Sequence, residues 1–174
     1  MRITLQITTR AGISLIIRQF HFTLRQKSAV MLRYQTEIII QKPIGEVTRL
    51  FANRAHLSKW QPGLLSNEQV ESYPLPKYKL MLAFGRRKMV MTETIIRNEL
   101  PGYFEGTYEM KGVYNRICNT FESPEPGTTR WICANEFRFS GLMRLIAAFM
   151  KGSFKKQSEM IMGNFKRFVE ASKI

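Results

Sequence analysis

The stretch KPIGEVTRLFANRAHLSKWQPGL, residues 42–64, decides the fold of this chain. Pro43 suits the first turn of a helix, because its restricted φ matches helical geometry and a first-turn N–H has no intrahelical partner. The apolar residues of PIGEVTRLF recur at helical spacing, which predicts a short amphipathic helix. RAHLSKW predicts a second short helix, and the Pro-Gly pair that follows ends it.

Strand-like segments lie on both sides of these helices. The alternating run RYQTEIII, residues 33–40, predicts a first strand, and six further alternating runs occupy residues 65–139. Short turns containing glycine or proline separate the six, so neighbouring strands pair antiparallel. After Gly141 the apolar spacing becomes helical as far as Val169, with Leu142 and Leu145 on the apolar face. We therefore predict an α+β fold in which a curved, seven-stranded antiparallel sheet wraps around one long C-terminal helix.

This order of elements, with KPIGEVTRLFANRAHLSKWQPGL after the first strand, resembles the START-like (SRPBCC) superfamily in its polyketide cyclase/dehydrase branch. The resemblance covers most of the chain after Met31. It implies a helix-grip fold with a cavity between the sheet and the long helix. Known members bind lipids, sterols, quinones or polyketides, and some are enzymes. No universal catalytic residue is carried over, so the resemblance implies a pocket and not a reaction.

Residues 1–30 form a basic, acid-free segment that we separate from a START-like domain at 31–174. Three interpretations are open: translation starting at Met31 with an over-extended reading frame, an amphipathic transit presequence, and a secretory signal. The secretory interpretation is the weakest, because its apolar core ISLII is short and Arg18 closes it. We expect a cytoplasmic protein, or an organellar one if the segment is a transit presequence.

The formal net charge is +14, of which the first 30 residues supply five positive charges. A charge of this size favours contact with anionic membranes, nucleic acid or acidic partners without choosing among them. The basic residues are scattered among helix and turns and match no nucleic-acid reader motif, so nucleic acid is the least favoured partner. Peripheral contact with an anionic membrane stays open. The sequence carries no signal for an oligomeric state.

Two cysteines, Cys118 and Cys133, lie in alternating segments without a CxxC partner. They are either inert buried thiols or a disulfide between neighbouring strands. The two histidines, His21 and His56, are not at metal-ligand spacing from a cysteine, so we predict no zinc site and no cofactor.

The more apolar face of each strand, with the apolar stripe of the last helix, predicts the lining of the cavity. Aromatic and methionine side chains suit bulky apolar ligands, although the same residues also fill an ordinary solid core. The predicted ligand-binding residues are Trp60, Tyr78, Leu80, Leu82, Met89, Met91, Glu93, Tyr108, Asn115, Ile117, Trp131, Asn135, Phe137, Met150, Phe154 and Ile161.

Polar residues on these faces are the most informative. Glu93, Asn115 and Asn135 each need a hydrogen-bond partner if they are buried. Glu93 is interpreted as a base, as the partner of a cross-strand arginine such as Arg116, or as a residue at a wet cavity mouth. Trp60 either packs in the core or contacts the ligand. We predict no catalytic role for His56, because no carboxylate or nucleophile stands at a fixed spacing from it.

Three classes of function follow from this. The first, which we favour, is binding or carriage of a small hydrophobic ligand such as a lipid, quinone, sterol or polyketide-like molecule. The alternative is an enzyme of cyclase, dehydratase or hydrolase type acting on such a molecule, although the sequence has no recognisable catalytic constellation. The third is a nucleic-acid or protein-interaction domain that uses its charge.

Overall fold

A computed structural model describes residues 30–149 and 151–172 of the chain. This part contains seven strands and four α-helices, with one short 3-10 turn between the first two helices. In chain order the elements are β1 Val30–Ile40, α1 Ile44–Ala52, the 3-10 turn Arg54–His56, α2 Leu57–Trp60, β2 Leu64–Glu71, β3 Lys77–Phe84, β4 Arg87–Glu99, β5 Tyr103–Met110, β6 Val113–Glu122, β7 Thr129–Phe139, α3 Met143–Phe149 and α4 Lys151–Ala171.

All seven strands join one antiparallel sheet in the order β1-β7-β6-β5-β4-β3-β2. Each strand from β2 to β6 therefore lies beside the one that follows it, as the short turns predict. The strand β1 pairs with β7 over its whole length, from Val30 opposite Phe139 to Ile40 opposite Thr129. The predicted seven-stranded antiparallel sheet is confirmed.

Alternation sends one set of side chains from every strand toward the interior. On β7, Trp131, Cys133 and Asn135 are buried, and on β6 the same holds for Asn115 and Asn119. These are the faces that the sequence predicts to be inward. The register matters, because a shift of one residue would exchange the two faces of a strand.

The helix α4 closes the sheet through one buried stripe. Phe165 is fully buried, with its ring centroid 4.9 Å from that of Trp60 and 5.3 Å from that of Trp131. Polar contacts attach the same helix to β1 and to the residue after it: Lys166 Nζ donates to the carbonyl oxygen of Ile39 at 2.6 Å, and Glu170 accepts from the backbone N–H of Gln41 at 2.7 Å. The long C-terminal helix is thereby held across the inner face of the sheet.

The prediction that Leu142 and Leu145 belong to the buried stripe is wrong. Their exposed fractions are 80% and 65%. The short helix α3 buries Ala147, and Met143, one turn earlier, lies against Gly112 in the β5–β6 turn. Since residues four apart share a face of a helix, the two leucines lie away from the sheet.

The Pro-Gly stop after α2 has a definite geometry. Gly63 has a φ of 83°, and a Cβ atom there would lie 2.9 Å from the carbonyl oxygen of Ala83. The Gly63 carbonyl in turn accepts from the N–H of Ala83 at 2.7 Å. Only glycine fits this close approach without strain, so the turn holds α2 against the start of β2 and the end of β3.

Candidate functional site

A cavity of about 290 Å³ lies between the inner face of the sheet, α4 and the segment that carries α1 and α2. We call it the apolar cavity. Its wall is mainly aromatic, aliphatic and methionine side chains, including Leu80, Met91, Ile117, Phe137 and Ile161. The described residues that line it include amides, hydroxyls and a thiol but no lysine, arginine, histidine, aspartate or glutamate.

A second cavity of about 340 Å³ lies beside the first, against β3, β4 and β5. We call it the charged cavity, because Arg54, Glu93 and Arg97 contribute to its wall. Four residues line both cavities and therefore form the partition between them: Phe51, Trp60, Gln61 and Tyr108.

Arg54 and Glu93, which both line the charged cavity, form an ion pair. Arg54 donates from Nη2 to Glu93 Oε2 at 2.6 Å, and the Tyr108 hydroxyl donates to Glu93 Oε1 at 2.6 Å. The guanidinium carbon of Arg54 lies 3.5 Å from the centroid of the Tyr78 ring. Burial, and then the adjacent Glu93 carboxylate, raise the pKa of Tyr108 well above its ordinary value. The phenol therefore stays protonated and acts as a donor to Glu93.

The prediction that a cross-strand arginine such as Arg116 pairs with Glu93 is wrong. Arg116 lies on the outer face of β6 and donates to Glu105 at 2.7 Å. Arg54 reaches Glu93 instead, from the 3-10 turn that precedes α2. Arg54 and Tyr108 both donate to the Glu93 carboxylate. Because Tyr108 lines both cavities, these bonds hold Glu93 at the junction between them.

Most polar groups in the apolar cavity have partners inside the protein. Trp131 donates from Nε1 to Asn119 Oδ1 at 2.9 Å, and Asn119 donates from Nδ2 to the carbonyl oxygen of Phe104 at 3.4 Å. The Tyr34 hydroxyl lies 3.0 Å from Ser158 Oγ and 3.1 Å from the carbonyl oxygen of Phe154.

A chain of hydrogen bonds links side chains of β6 and β7 and leaves one buried acceptor without a donor. Asn115 donates from Nδ2 to Asn135 Oδ1 at 3.4 Å, and Asn135 donates from Nδ2 to the sulfur of Cys133 at 3.3 Å. Burial raises the pKa of Cys133 to about 11, so this residue is a neutral thiol. Within the described part of the chain, nothing donates to Asn115 Oδ1, although the residue is only 7% exposed.

The indole N–H of Trp60 is a second buried polar group without a hydrogen-bond partner. Its ring packs against Phe51 and Phe165, and the residue is 4% exposed. Its Nε1 hydrogen has no acceptor among the described residues. Leaving a buried polar group unpaired costs on the order of 1–3 kcal/mol, so such positions are rare and informative.

Solved structures resemble this fold across most of its length. Ara h 8.0201 is 14% identical, with a TM-score of 0.68 over 82% of this chain and 100% of that one. The ZhuI aromatase/cyclase from Streptomyces sp. R1128 is 11% identical, with a TM-score of 0.69 over 81% of this chain and 94% of that one. Truncated norcoclaurine synthase from Thalictrum flavum is 10% identical, with a TM-score of 0.67 over 85% and 99%. The chain has the helix-grip fold of START-like proteins. No protein-family model and no curated protein matches the sequence.

The structure brings most of the predicted ligand-binding residues together. Those that line the apolar cavity are Trp60, Leu80, Leu82, Met91, Tyr108, Asn115, Ile117, Trp131, Asn135, Phe137, Phe154 and Ile161. Tyr78 and Glu93 line the charged cavity. Met89 is half-buried opposite Leu82 on β3, outside the walls of both cavities. Met150 lies outside the described residues. Contact with a ligand stays a prediction for all of them.

Several lining residues of the apolar cavity are not among the predicted ligand-binding residues. They include Tyr34, Phe51, Gln61, Gln157, Ser158 and Met162. Those on α4 lie three, four and eight positions after Phe154, which is the spacing of one helix face. The choice of apolar residues alone excluded Gln157 and Ser158, whereas helical spacing without that filter would have found them.

The remaining chemical candidates do not assemble a catalytic site. Cys118 and Cys133 are both free, and they lie on opposite faces of adjacent strands, so the disulfide interpretation is wrong. His56 packs its ring 5.4 Å from that of Phe168 and lines neither cavity. Across residues 30–149 and 151–172, no group of metal-ligating side chains is present and no helix is long and apolar enough to cross a membrane.

Proposed function

We propose that this START-like protein binds, and carries, a small hydrophobic molecule in the apolar cavity. The observation that supports the proposal most directly is a cavity of about 290 Å³ whose wall is apolar apart from uncharged polar groups. Lipids, quinones, sterols and polyketide-like molecules share the chemistry that such a wall accommodates. Two solved structures with this fold are an aromatase/cyclase and a norcoclaurine synthase.

A cavity-filling substitution tests this proposal. Met91 lines the cavity, and its neighbour Val90 on the same strand points outward with 48% exposure. We expect Met91→Trp to lower the fraction of protein that retains a ligand about tenfold, because the added ring occupies the space that the ligand needs. Native mass spectrometry after incubation with a total lipid extract measures this fraction.

Val90→Trp is the matched control and should retain ligand as the wild type does. A wild-type protein that takes up nothing from the extract would contradict the proposal. Equal loss in both variants would also contradict it, since the cavity would then not be the site.

An enzyme of cyclase, dehydratase or hydrolase type is the second candidate. The observation that favours it is the pair of Glu93 and Tyr108, a buried carboxylate and phenol joined at 2.6 Å at the junction of the two cavities. Such a pair is suited to donate or accept a proton beside a bound carbonyl compound. A ligand released with a mass lower by one water than the compound supplied would support dehydration or cyclisation.

We also propose that the protein loads and unloads its ligand at an anionic membrane. Exposed Leu142, just before α3, and exposed Leu145, on α3, lie close to Arg144 in the chain, and Lys111 lies in the turn against which α3 packs. Met110 and Val113, on either side of that turn, line the apolar cavity. This apolar and basic surface, the α3 surface, therefore lies at one end of the cavity.

The α3 surface can be tested with vesicles. We expect the double variant Leu142→Ser/Leu145→Ser to bind phosphatidylcholine–phosphatidylserine vesicles about tenfold more weakly than the wild type, because two leucines no longer enter the interface. Co-sedimentation at low and high salt measures binding. Serines at Leu65 and Val70, which are exposed on β2, provide the control. Equal binding by both double variants would contradict the assignment of this surface.

A further inference from the structure

Two buried polar atoms of residues that line the apolar cavity have no partner within the described part of the chain: the Trp60 indole N–H and the Asn115 carbonyl oxygen. The other polar groups of the wall differ from them. Those of Trp131, Asn119 and Tyr34 are paired inside the protein. Gln61 is half-buried and Gln157 is exposed, so solvent reaches them.

These two atoms have opposite hydrogen-bonding character. The indole nitrogen can only donate, and a carbonyl oxygen can only accept. Both atoms are already shielded from water, so groups of a bound ligand would have to satisfy them or leave two buried groups unpaired. The matching groups are a hydrogen-bond acceptor facing Trp60 and a hydrogen-bond donor facing Asn115.

The charge of the ligand follows from the same wall. Lys, Arg, His, Asp and Glu are absent from the described lining residues, and the nearby Arg54 and Glu93 are paired with each other. A charged ligand group in the apolar cavity would therefore lose its hydration without gaining a counter-ion.

We propose that the natural ligand is an uncharged molecule that carries both a carbonyl-type acceptor, bound by Trp60, and a hydroxyl-type donor, bound by Asn115. This inference rests on the proposed ligand-binding function, and it selects hydroxylated carbonyl compounds over plain hydrocarbons, fatty-acid anions and sulfonates. Both residues line the cavity in which such a ligand would bind.

Four probes of similar size separate the effects of an acceptor, a donor and a charge on binding. They are naphthalene, 2-acetonaphthone, 2-naphthol and the anion 2-naphthoate. Equilibrium dialysis gives a dissociation constant for each. For the wild type we expect naphthalene to bind, the ketone and the naphthol each to bind about fivefold more tightly, and naphthoate to bind more weakly. The fivefold gain corresponds to one hydrogen bond of about 1 kcal/mol.

Trp60→Phe tests the donor. It keeps an aromatic ring and removes an N–H that makes no bond within the described protein, so the fold should persist. The gain of 2-acetonaphthone over naphthalene should disappear in this variant. A gain that survives would overturn the role of Trp60.

Asn115 is tested in the Trp60→Phe background, so that the naphthol hydroxyl has a single partner. Asn115→Leu is combined with Asn135→Leu, because Asn135 Oδ1 would otherwise lose its donor and become a new acceptor. We expect 2-naphthol to bind no better than naphthalene to this triple variant. A gain that survives would overturn the role of Asn115. Thermal unfolding verifies that each variant is folded.

The two levels of the proposal fail differently. If none of the four probes binds the wild type, the proposed binding function fails and takes this inference with it. If naphthalene binds and the polar groups add nothing, binding stands and the inference is wrong. Tighter binding of 2-naphthoate than of naphthalene would overturn the uncharged class.

Discussion

Replacement of Phe165 by alanine is expected to lower the free energy of unfolding by about 4 kcal/mol, because a fully buried aromatic ring is lost and a cavity remains. Phe165 has no exposed surface. Its ring centroid lies within 5.8 Å of those of Phe51, Trp60 and Trp131, which come from α1, α2 and β7. One side chain of α4 thus joins three elements that surround the apolar cavity.

Urea-induced unfolding measures this effect. Met160→Ala, on the same helix at a position 43% exposed, serves as the control and should change the free energy of unfolding by less than about 0.5 kcal/mol. Similar losses in the two variants would show that α4 does not pack through Phe165. A loss confined to Phe165→Ala would support the packing described above.

Arg54→Met is expected to lower the free energy of unfolding by about 3 kcal/mol. The substitution removes the counter-ion of Glu93, whose side chain is only 6% exposed, and leaves a buried charge with the Tyr108 hydroxyl as its remaining partner. Arg54 also donates from Nε to Asn67 Oδ1 at 3.3 Å, and this bond is lost as well, whereas the bond from Asn67 Nδ2 to the Arg54 carbonyl oxygen stays.

A double-mutant cycle isolates the charge. Arg54→Met/Glu93→Gln should recover much of the stability that Arg54→Met loses, because no unpaired charge remains. The surface pair of Arg130 and Glu37, whose side chains are 39% and 53% exposed, is the control, and Arg130→Met should destabilise the protein much less than Arg54→Met does. If Arg54→Met were equally harmless, Glu93 would have access to solvent.

The sheet could be predicted because each strand carries its own evidence. Alternation on β6 and β7 identifies their inward faces, and a glycine or proline marks most of the reversals, so Asn115 and Asn135 were placed correctly without any long-range information. The stripe of α4 follows helical spacing in the same way. Such local patterns are predictive because one side of each strand or helix faces the protein interior and the other faces solvent.

The partners of Glu93 could not be predicted from such patterns. Arg54 is 39 positions earlier and lies in a 3-10 turn whose place depends on how α1 packs. The prediction that Leu142 and Leu145 are buried is wrong for a related reason. Helical spacing shows that two residues share a face, but only the packing of α3 on the β5–β6 turn determines whether that face is covered. The unpaired polar groups of Trp60 and Asn115 likewise depend on neighbours from distant strands.

The pairing of β1 with β7 has a consequence for biosynthesis. The first strand of the sheet is made about a hundred residues before the strand that receives it. At ribosomal speeds of roughly 5–20 residues per second, β1 waits on the order of ten seconds for its neighbour. During that time the nascent chain presents Ile38, Ile39 and Ile40 without a sheet to join. We therefore expect a chaperone to bind this segment until β7 has been synthesised.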